Sequence, residues 1–368
     1  MDDDKYMIWL AHSCGVDSFY IDYLMKKFEG PEGIYLAKEN KIRECRVLSE
    51  KTLSKLLYMK KNIDPDKVLF NMQSKGIKFI SKFSGSYPAL LKAISNPPFG
   101  LFMLGTLPDF DRPWVSVIGT RKPTSYGKAV AYNLSGELAK KGIVIVSGMA
   151  DGLDGIAHKA VLEKGGSTVA VLGCGVDICY PIINERIYEG IKKTGCIISE
   201  FPPAAAPDKW HFPYRNRIIS GLSSAVVVIE AEVASGTAIT VKNALEQGRE
   251  VLAVPGNITS NKSSGTNNLI REGAHVVTCA MDVLDALGII EIWPENNSDE
   301  EIHNNGHIPL ATNEETVYSL LSDEPAELDN IIKKTSLKPQ FVMVALTKLK
   351  LAGIISELPG QKYIKNRK

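Results

Sequence analysis

The sequence predicts an α/β protein: a mainly parallel sheet covered by helices on both faces, with a small helical domain before it and a winged-helix-like domain after it. The first observation is a recurrence of short β-branched runs at 114–118 (WVSVI), 143–146 (IVIV), 168–172 (TVAVL), 196–198 (CII), 225–229 (AVVVI), 251–254 (VLAV) and 275–278 (HVVT). Amphipathic, alanine-rich helix candidates separate most of them, at 127–141, 153–164, 182–193 and 238–248. Near-continuous apolar strands alternating with helices indicate a parallel sheet buried on both sides. The second observation is that loops rich in glycine and hydroxyls follow several of these runs. The third is a change of texture after Leu287, where an acidic, asparagine-rich stretch gives way to a compact tail.

From the N-terminus, residues 1–75 read as helical, because apolar positions in DSFYIDYLMKKF and RVLSEKTLSKLLYMKK recur at helical spacing between glycines and prolines. Two forms fit: a small domain of the sterile-alpha-motif or helix-hairpin-helix type, and a helical appendage that covers the main core. Residues 77–113 read as a transition, since Pro97 and Pro98 stop regular structure and Gly105 and Pro108 add turns. The α/β core is expected over 76–288. Residues 291–310 hold five acids and no Lys or Arg, so 289–311 is expected to be a flexible, solvated linker. Over 312–368, NEETVYSLLS, PAELDNIIKKT and KPQFVMVALTKLKLAG give three helix candidates, and IISELPGQKYIK gives strand, Pro-Gly turn and strand. That is a winged-helix pattern with the third helix in the recognition position. This tail carries nine basic and seven acidic side chains, a balance of +2, which leaves duplex DNA and a protein as equal candidates for its partner.

Composition narrows the function classes. An apolar content of 44% and a charged content of 23% belong to an ordinary soluble chain. The 43 basic and 42 acidic side chains nearly cancel, so an anionic partner must be held by local patches. Cys14, Cys45, Cys174, Cys179, Cys196 and Cys279 form no CxxC pair, which argues against a zinc site or disulfide framework and for buried thiols in a reducing compartment. No apolar run reaches the roughly 18 residues of a membrane span. Acids stand near the start, where a signal peptide would carry positive charge. A cytoplasmic protein without metal or cofactor is expected.

In SVIGTRKPTSYGKAV the chain leaves the first core strand and enters a helix. Gly119 and Gly127 permit close backbone approach, Thr120, Thr124 and Ser125 offer hydroxyls, and Arg121 presents a fork of donors suited to phosphate oxygens. Together with the field of a helix N-terminus this reads as an anion site, with plain turn chemistry as the alternative. The segment is neither GxGxxG nor GxxxxGK(S/T), so dinucleotide and Walker readings lose weight. VIVSGMADGLDGIAHKAVLEKGG repeats the arrangement with Gly148, Gly152 and Gly155, and Asp154 and His158, four apart, can meet on one helical face. An acid–histidine pair that stabilises the helix is the first reading, because Ser147 lacks a GxSxG elbow and no metal-ligand spacing is present. Lys159 is as readily a solvent-facing lysine as a phosphate ligand. Ser235, Gly236 and Thr237 make a third such loop, and SSGTNNLI at 263–270 a fourth. Several donor-rich loops at equivalent strand ends suit an extended polyanion.

The segment DKWHFPYRNRIISGLSSAVVVIEA, residues 208–231, crowds Lys209, Trp210, His211, Phe212, Tyr214, Arg215 and Arg217 ahead of an apolar strand. Rings among positive charges stack on bases while the cations neutralise phosphates, as in unspecific single-strand binding. The plain alternative for Trp210, Phe212 and Tyr214 is packing at a corner. Arg217, followed by Ile218 and Ile219, needs a partner if buried, either Glu230 or a ligand phosphate. Asp151, Asp154, Glu200, Glu230 and Glu232 keep a second function open, a nucleotide or sugar-phosphate hydrolase with a carboxylate base. A closed mononucleotide pocket would favour the hydrolase; an open electropositive trough would favour strand binding.

The ordered set VIGTRKPTSYG, VSGMADGLDGIAHKAVLEKGG, GCGVDICYP, ISEFPP, HFPYRNRIISGL, VIEAEVASGTAITVKNALEQGREVLAVPG and GTNNLIREGA, led in by YPALLKAISNPPFGLFMLG, resembles the DNA processing protein A family, also called Smf, over roughly residues 87–287. The resemblance implies an extended Rossmann-like fold that binds single-stranded DNA and interacts with RecA. It implies loading of RecA onto strands against the hindrance of single-strand-binding protein, in natural transformation and recombination, by a homodimer with no catalytic reaction. Gly119, Thr120 and Arg121, with Lys122 beside them, fall on the family's phosphate-binding loop. Ser147, Gly148 and Ala150 fall on its next loop, with Lys159 in the helix that follows. Arg215, Asn216 and Arg217 match its RNR segment, with Phe212 just ahead, and Ser235, Gly236 and Thr237 match its SGT segment. Met149 stands where leucine or glycine is common, and Leu153 where isoleucine or valine is usual.

Overall fold

The computed structural model describes residues 5–14, 18–289, 312–322, 325–335, 337, 339–351, 354–358 and 362–365. The linker expected over 289–311 lies, beyond residue 289, outside them. The chain divides into two compact units, Met1–Glu291 and Ile292–Lys368.

The first unit opens with helices α1 (Lys5–Cys14), α2 (Ser18–Lys27), α3 (Pro31–Leu36), α4 (Glu39–Glu44), α5 (Glu50–Asn62) and α6 (Pro65–Ser74). Local chemistry starts the last two. Ser49 Oγ accepts from Thr52 N at 3.2 Å ahead of α5, and Asp64 accepts from Asp66 N ahead of Pro65 at the first turn of α6. There follow β1 (Lys78–Ser81), α7 (Ala89–Lys92), β2 (Gly100–Gly105), β3 (Trp114–Ile118), α8 (Ser125–Lys140), β4 (Val144–Ser147), α9 (Leu153–Glu163) and β5 (Thr168–Val171). Then come α10 (Glu185–Thr194), β6 (Cys196–Ser199), α11 (His211–Gly221), β7 (Ala225–Val228), α12 (Gly236–Glu246), β8 (Glu250–Ala253), α13 (Ser264–Arg271), β9 (His275–Val276) and α14 (Ala280–Ala286). The β-branched runs are the strands and the alanine-rich stretches the helices, as the periodicity predicts.

One sheet takes the order β1-β2-β6-β5-β4-β3-β7-β8-β9. From β6 to β9 all neighbours are parallel, with Val115 of β3 level with Ile145 of β4 and Ala225 of β7. Alternate residues of each strand point to opposite faces. Trp114, Val144, Val226 and Val228 pack with Ile218 and Ile219 of α11, while Val115, Val117, Ile145 and Val227 pack with α8, α9 and α14. The chain lays β3, β4, β5 and β6 outward to one side, then returns to the other edge of β3 with β7. Loops after β3 and β7 therefore diverge, and a crevice opens at the carboxyl ends of these strands.

The stretch 77–113 is not a mere transition. It supplies β1 and β2, which pair with each other antiparallel and add β2 antiparallel to β6. Phe79 and Phe102 from these strands meet at 4.9 Å between ring centroids, and His12 of α1 stands edge-on to Phe102 at 5.1 Å. Trp9, Leu10, Ile21, Leu24 and Leu56 share one apolar core with Phe102, Leu172, Val176, Tyr188 and Ile197, so the N-terminal helices cover the sheet. Of the expected buried thiols, Cys174 and Cys196 are buried, Cys45 and Cys179 half-buried and Cys279 exposed.

The second unit contains α15 (Thr312–Ser319), β10 (Ala326–Glu327), α16 (Leu328–Lys334), α17 (Pro339–Leu351), β11 (Ile355–Leu358) and β12 (Lys362–Lys365), with sheet order β10-β12-β11, all antiparallel. Val317, Leu321, Ile331, Val342, Leu346 and Leu349 form its core. This is the winged-helix arrangement. Its third helix, α17, leaves Phe341, Met343 and Val344 exposed. Among the described residues, no helix is long and apolar enough to cross a membrane.

His158 of α9 is fully buried, and Asp154 is not its partner: the carboxylate turns to the loop behind it and the ring to the sheet. Thr168 Oγ1 donates to Ile145 O at 2.7 Å, so its hydroxyl accepts from His158 Nδ1–H at 2.7 Å. Nε2 is left buried without a partner, and burial pushes the imidazole pKa down to about 3. Below the unfolded value of about 6.5 the unfolded chain takes up a proton that the folded chain refuses. This contribution to stability is therefore complete above pH 7 and is lost as pH falls through 6.5 toward 3, amounting to about 2 kcal/mol at pH 5. Urea midpoints measured from pH 7.5 to 5 should fall, and His158→Gln should flatten that slope.

Candidate nucleic-acid interface

The loop from Gly119 to Thr124 follows β3 and is strapped on both sides. Thr120 N donates to Glu230 O at 2.9 Å, and Thr120 O accepts from Leu153 N at 3.3 Å. Glu230, 2% exposed just past β7, accepts from Thr124 N at 3.0 Å and from the Thr124 hydroxyl. Thr124 Oγ1 in turn caps α8 by accepting from Gly127 N at 3.1 Å. Glu230 is thus a structural clamp under the loop, while Arg121 at its tip is exposed.

The loop after β4 is shaped by close contacts. Gly152 has φ +89°, and a Cβ there would lie 2.6 Å from Thr120 O, so only glycine fits between the two loops. A Cβ on Gly148 would lie 2.6 Å from the Arg215 guanidinium. Between them Met149 takes a left-handed φ of 59° with its side chain in the core. Asp154 Oδ2 accepts from Gly148 N at 3.1 Å and Ala150 N at 3.4 Å. Burial raises the Asp154 carboxyl pKa, with Arg215 and these amides opposing it.

Helix α11 crosses these strand ends and sorts the crowded aromatic segment by helical rotation. Phe212, Arg215, Asn216 and Ile219, spaced i, i+3, i+4 and i+7, face the crevice. His211, Tyr214 and Arg217 lie on the other side. His211 stacks on Phe201 at 3.7 Å and its Nδ1 meets Gly173 O at 2.9 Å. Arg215 is 4% exposed and donates to Gly148 O at 2.8 Å and to Val171 O. Desolvation lowers its pKa to about 10, with Asp154 opposing and nearby Arg121 adding to the fall; it stays charged at neutral pH. Arg217 pairs with Glu200, not with Glu230, through Nη2 at 2.7 and 2.8 Å from the two carboxylate oxygens. Its Nε donates to Asn96 O at 3.0 Å.

The resulting trough has a volume of about 660 Å³. Of the candidate residues it gathers Gly119, Thr120, Arg121, Ala150, Phe212, Arg215, Asn216, Ser235, Gly236 and Thr237. Lys122, Ser147, Gly148, Lys159 and Arg217 do not line it. Lys122 is exposed outside it, Ser147 donates its hydroxyl to Val117 O at 2.6 Å, and Lys159 reaches Glu163 at 3.7 Å along α9. Gly148 lies behind Arg215, and Arg217 is held by Glu200. Lys209 and Tyr180 line the trough without belonging to the candidate set. Lys209 sits three residues before Phe212, a signal the segment offered, whereas Tyr180 comes from the loop after β5 and is placed only by the fold.

Among the described side chains that line the trough, Arg121, Lys209 and Arg215 are cationic and Asp154 is the one carboxylate. The Arg121 guanidinium stands 5.9 Å from the Phe212 ring centroid, and the Tyr180 ring lies 5.5 Å from it, tilted by 33°. The N-terminus of α12 opens on the trough, and Ser235 Oγ there is buried without a partner. Cations, a helix N-terminus and aromatic rings at one site suit phosphates and flat bases together.

Residues 78–288 match the family model for DNA recombination-mediator protein A, and residues 307–361 match that for the DprA winged helix domain. The chain is 33% identical over 395 residues to Protein Smf of Synechocystis sp., spanning 99% of both chains. It is 42% identical over 233 residues to DNA processing protein DprA of Bacillus subtilis, spanning 63% of this chain and 76% of that one. The X-ray structure of DNA processing protein A from Streptococcus pneumoniae superposes with a TM-score of 0.66 at 34% identity, covering 76% of this chain and 97% of that one. DNA processing protein A from Helicobacter pylori, solved for its single-stranded DNA binding mode, superposes with a TM-score of 0.52 at 32% identity over 57% of this chain and 95% of that one. In its core and in its winged helix alike, the chain belongs to the DNA recombination-mediator protein A family, DprA or Smf, and so to the DNA-processing proteins.

Proposed function

We propose that this protein holds single-stranded DNA in the trough at the carboxyl ends of β3, β4 and β7 and delivers it to RecA. The observation that carries this reading is the trough's make-up: three cations against one carboxylate, with the Phe212 and Tyr180 rings in the same lining. Phosphates pair with Arg121, Lys209 and Arg215 and with the N-terminus of α12, and a base stacks on Phe212. The single-stranded DNA binding of the Helicobacter pylori relative supports the same ligand here. Loading of RecA past single-strand-binding protein, in transformation or recombination in the cytoplasm, is the role the family carries. A symmetric homodimer would place two troughs in series on one strand. Exposed Phe341, Met343 and Val344 on α17 favour a protein as the winged helix's partner, because duplex readout relies on polar contacts to base edges and phosphates.

One observation favours the hydrolase: Asp154 is a buried carboxyl with a raised pKa at the ligand site. Against it, one of its oxygens already accepts two backbone amides, as a structural acid's would.

Fluorescence anisotropy with a labelled oligonucleotide, titrated across salt and competed with duplex DNA and mononucleotides, separates the two. Tight, salt-sensitive binding that resists both competitors is expected; easy displacement by a mononucleotide would return the hydrolase. Arg121→Ala should weaken binding about tenfold or more, as removal of a charged hydrogen bond does, and reduce the salt slope by about 0.7 for each phosphate that is no longer neutralised. Arg217→Ala should behave oppositely. It leaves Glu200 buried and unpaired at a stability cost of about 3–5 kcal/mol, while folded protein keeps the wild-type salt slope. Phe212→Ala should cost about 1–3 kcal/mol of affinity with the slope unchanged.

A further inference from the structure

Ile182 and Ile183 are 69% and 73% exposed. Single exposed apolar side chains are ordinary; these two are adjacent in the chain and close to the trough. They occupy a short helical turn, residues 182–184, two residues beyond the trough-lining Tyr180. That turn is fixed in place. Asn184, buried at its end, donates from Nδ2 to Met149 O at 2.9 Å and Ala150 O at 3.2 Å, and Ala150 itself lines the trough. A Cβ on Gly155 would lie 2.9 Å from Asn184 Oδ1, so the helix behind the turn holds it closely.

An apolar path thus leaves the trough. Phe212 lies inside it under the Arg121 guanidinium, the half-exposed Tyr180 ring stands 5.5 Å from Phe212, and the two isoleucines follow along the chain. Cations gather at one end of this path and hydrocarbon at the other. On the single-strand reading, a strand held on Arg121, Lys209 and Arg215 would have this hydrocarbon within reach of a neighbouring base.

We propose that Ile182 and Ile183 form an apolar step that receives the face of an unpaired nucleobase as the strand leaves the trough. The inference rests on the single-strand reading above and assigns that strand its exit. It also supplies a reason to reject duplex DNA, whose base faces are stacked on one another and offer nothing to an isoleucine. The occupant is a nucleobase because the step continues a surface of neighbouring rings and cations, Tyr180, Phe212 and Arg121, that already suits one.

The test uses the full chain and labelled oligothymidylate at fixed salt, together with two oligonucleotides of equal length that carry abasic residues at one end or the other. The double variant Ile182→Ser, Ile183→Ser should weaken binding of the intact strand about five- to tenfold, the scale of one base stack. Its salt slope should be unchanged, because every phosphate keeps its cation. Wild type should bind one of the abasic strands more weakly than the intact strand, and the double variant should not discriminate between them. Ile182→Leu, Ile183→Leu should keep wild-type affinity. Equal affinity of wild type and the serine variant for the intact strand overturns the proposal, as does an abasic penalty that survives in that variant. Loss of self-association by sedimentation with unchanged DNA affinity would make the step an interface between copies of the chain, and also overturns it. The wild-type titration decides the underlying reading by itself: no salt-sensitive binding of the intact strand would end both, whereas normal binding with an unaffected serine variant ends only the step.

Discussion

Arg215 reaches back from α11 into the ends of two strands, donating to Gly148 O after β4 and to Val171 O at the end of β5, with Asp154 close by as the compensating charge. A guanidinium in so dry a place is costly unless its donors and charge are met there. Two carbonyls take its Nη1 and Asp154 offsets its charge, while Nε stays buried without a partner, and these contacts exist only when the loop after β4, the start of α9 and helix α11 stand in one relative position. The same geometry excludes a side chain at residue 148 and turns the two neighbouring amides onto Asp154. One buried charge therefore makes a rigid wall out of segments far apart in the chain, and that wall is the positive side of the trough.

The two arginines of the RNR segment show how a helix divides labour. Two positions along an α-helix turn the side chain by about 200°, so Arg215 and Arg217 point to opposite sides. Arg215 carries charge into the ligand site, and Arg217 carries it to Glu200 at the far end of β6. Glu230 plays a comparable role on the other flank, where its carboxylate spends its acceptors on Thr124 and so sets the height of the loop that bears Arg121. Glu200 and Glu230, two of the five acids that kept a hydrolase open, are committed to holding loops and helices.

The N-terminal helices belong to the same construction. Their core runs without a break into Phe102, Leu172 and Val176, and Lys75 reaches Asp177 at 2.8 Å in the loop that leads to Tyr180. The Asp177 carboxylate also accepts from Ala204 N at 2.7 Å. The rim of the trough is thus supported from behind by a segment that contributes none of its lining residues.

Much of this was legible in residues alone. Runs such as AVVVI and WVSVI, alternating with alanine-rich helices, require a buried parallel sheet, because no other arrangement hides both faces of such strands. Loops carrying Gly119–Thr120–Arg121 and Ser235–Gly236–Thr237 show by residue type that these strand ends are rich in donors, and the tail's three helices and hairpin announce a winged helix. What stayed hidden depends on contacts between distant positions. The strands Lys78–Ser81 and Gly100–Gly105 lie among prolines and turn residues that mask them, and they form by pairing with each other and, through the second of them, with β6. The sequence shows that Arg217 needs an acid but not that Glu200, across a fold, is nearer than Glu230. It places Asp154 and His158 four apart but not the amides and the threonine that take them separately. By itself the sequence determined which elements of the parallel core and the tail form and what chemistry their ends can offer, since periodicity and residue type are local. Only the tertiary structure decided which of those groups face one another, because burial assigns partners by proximity in space.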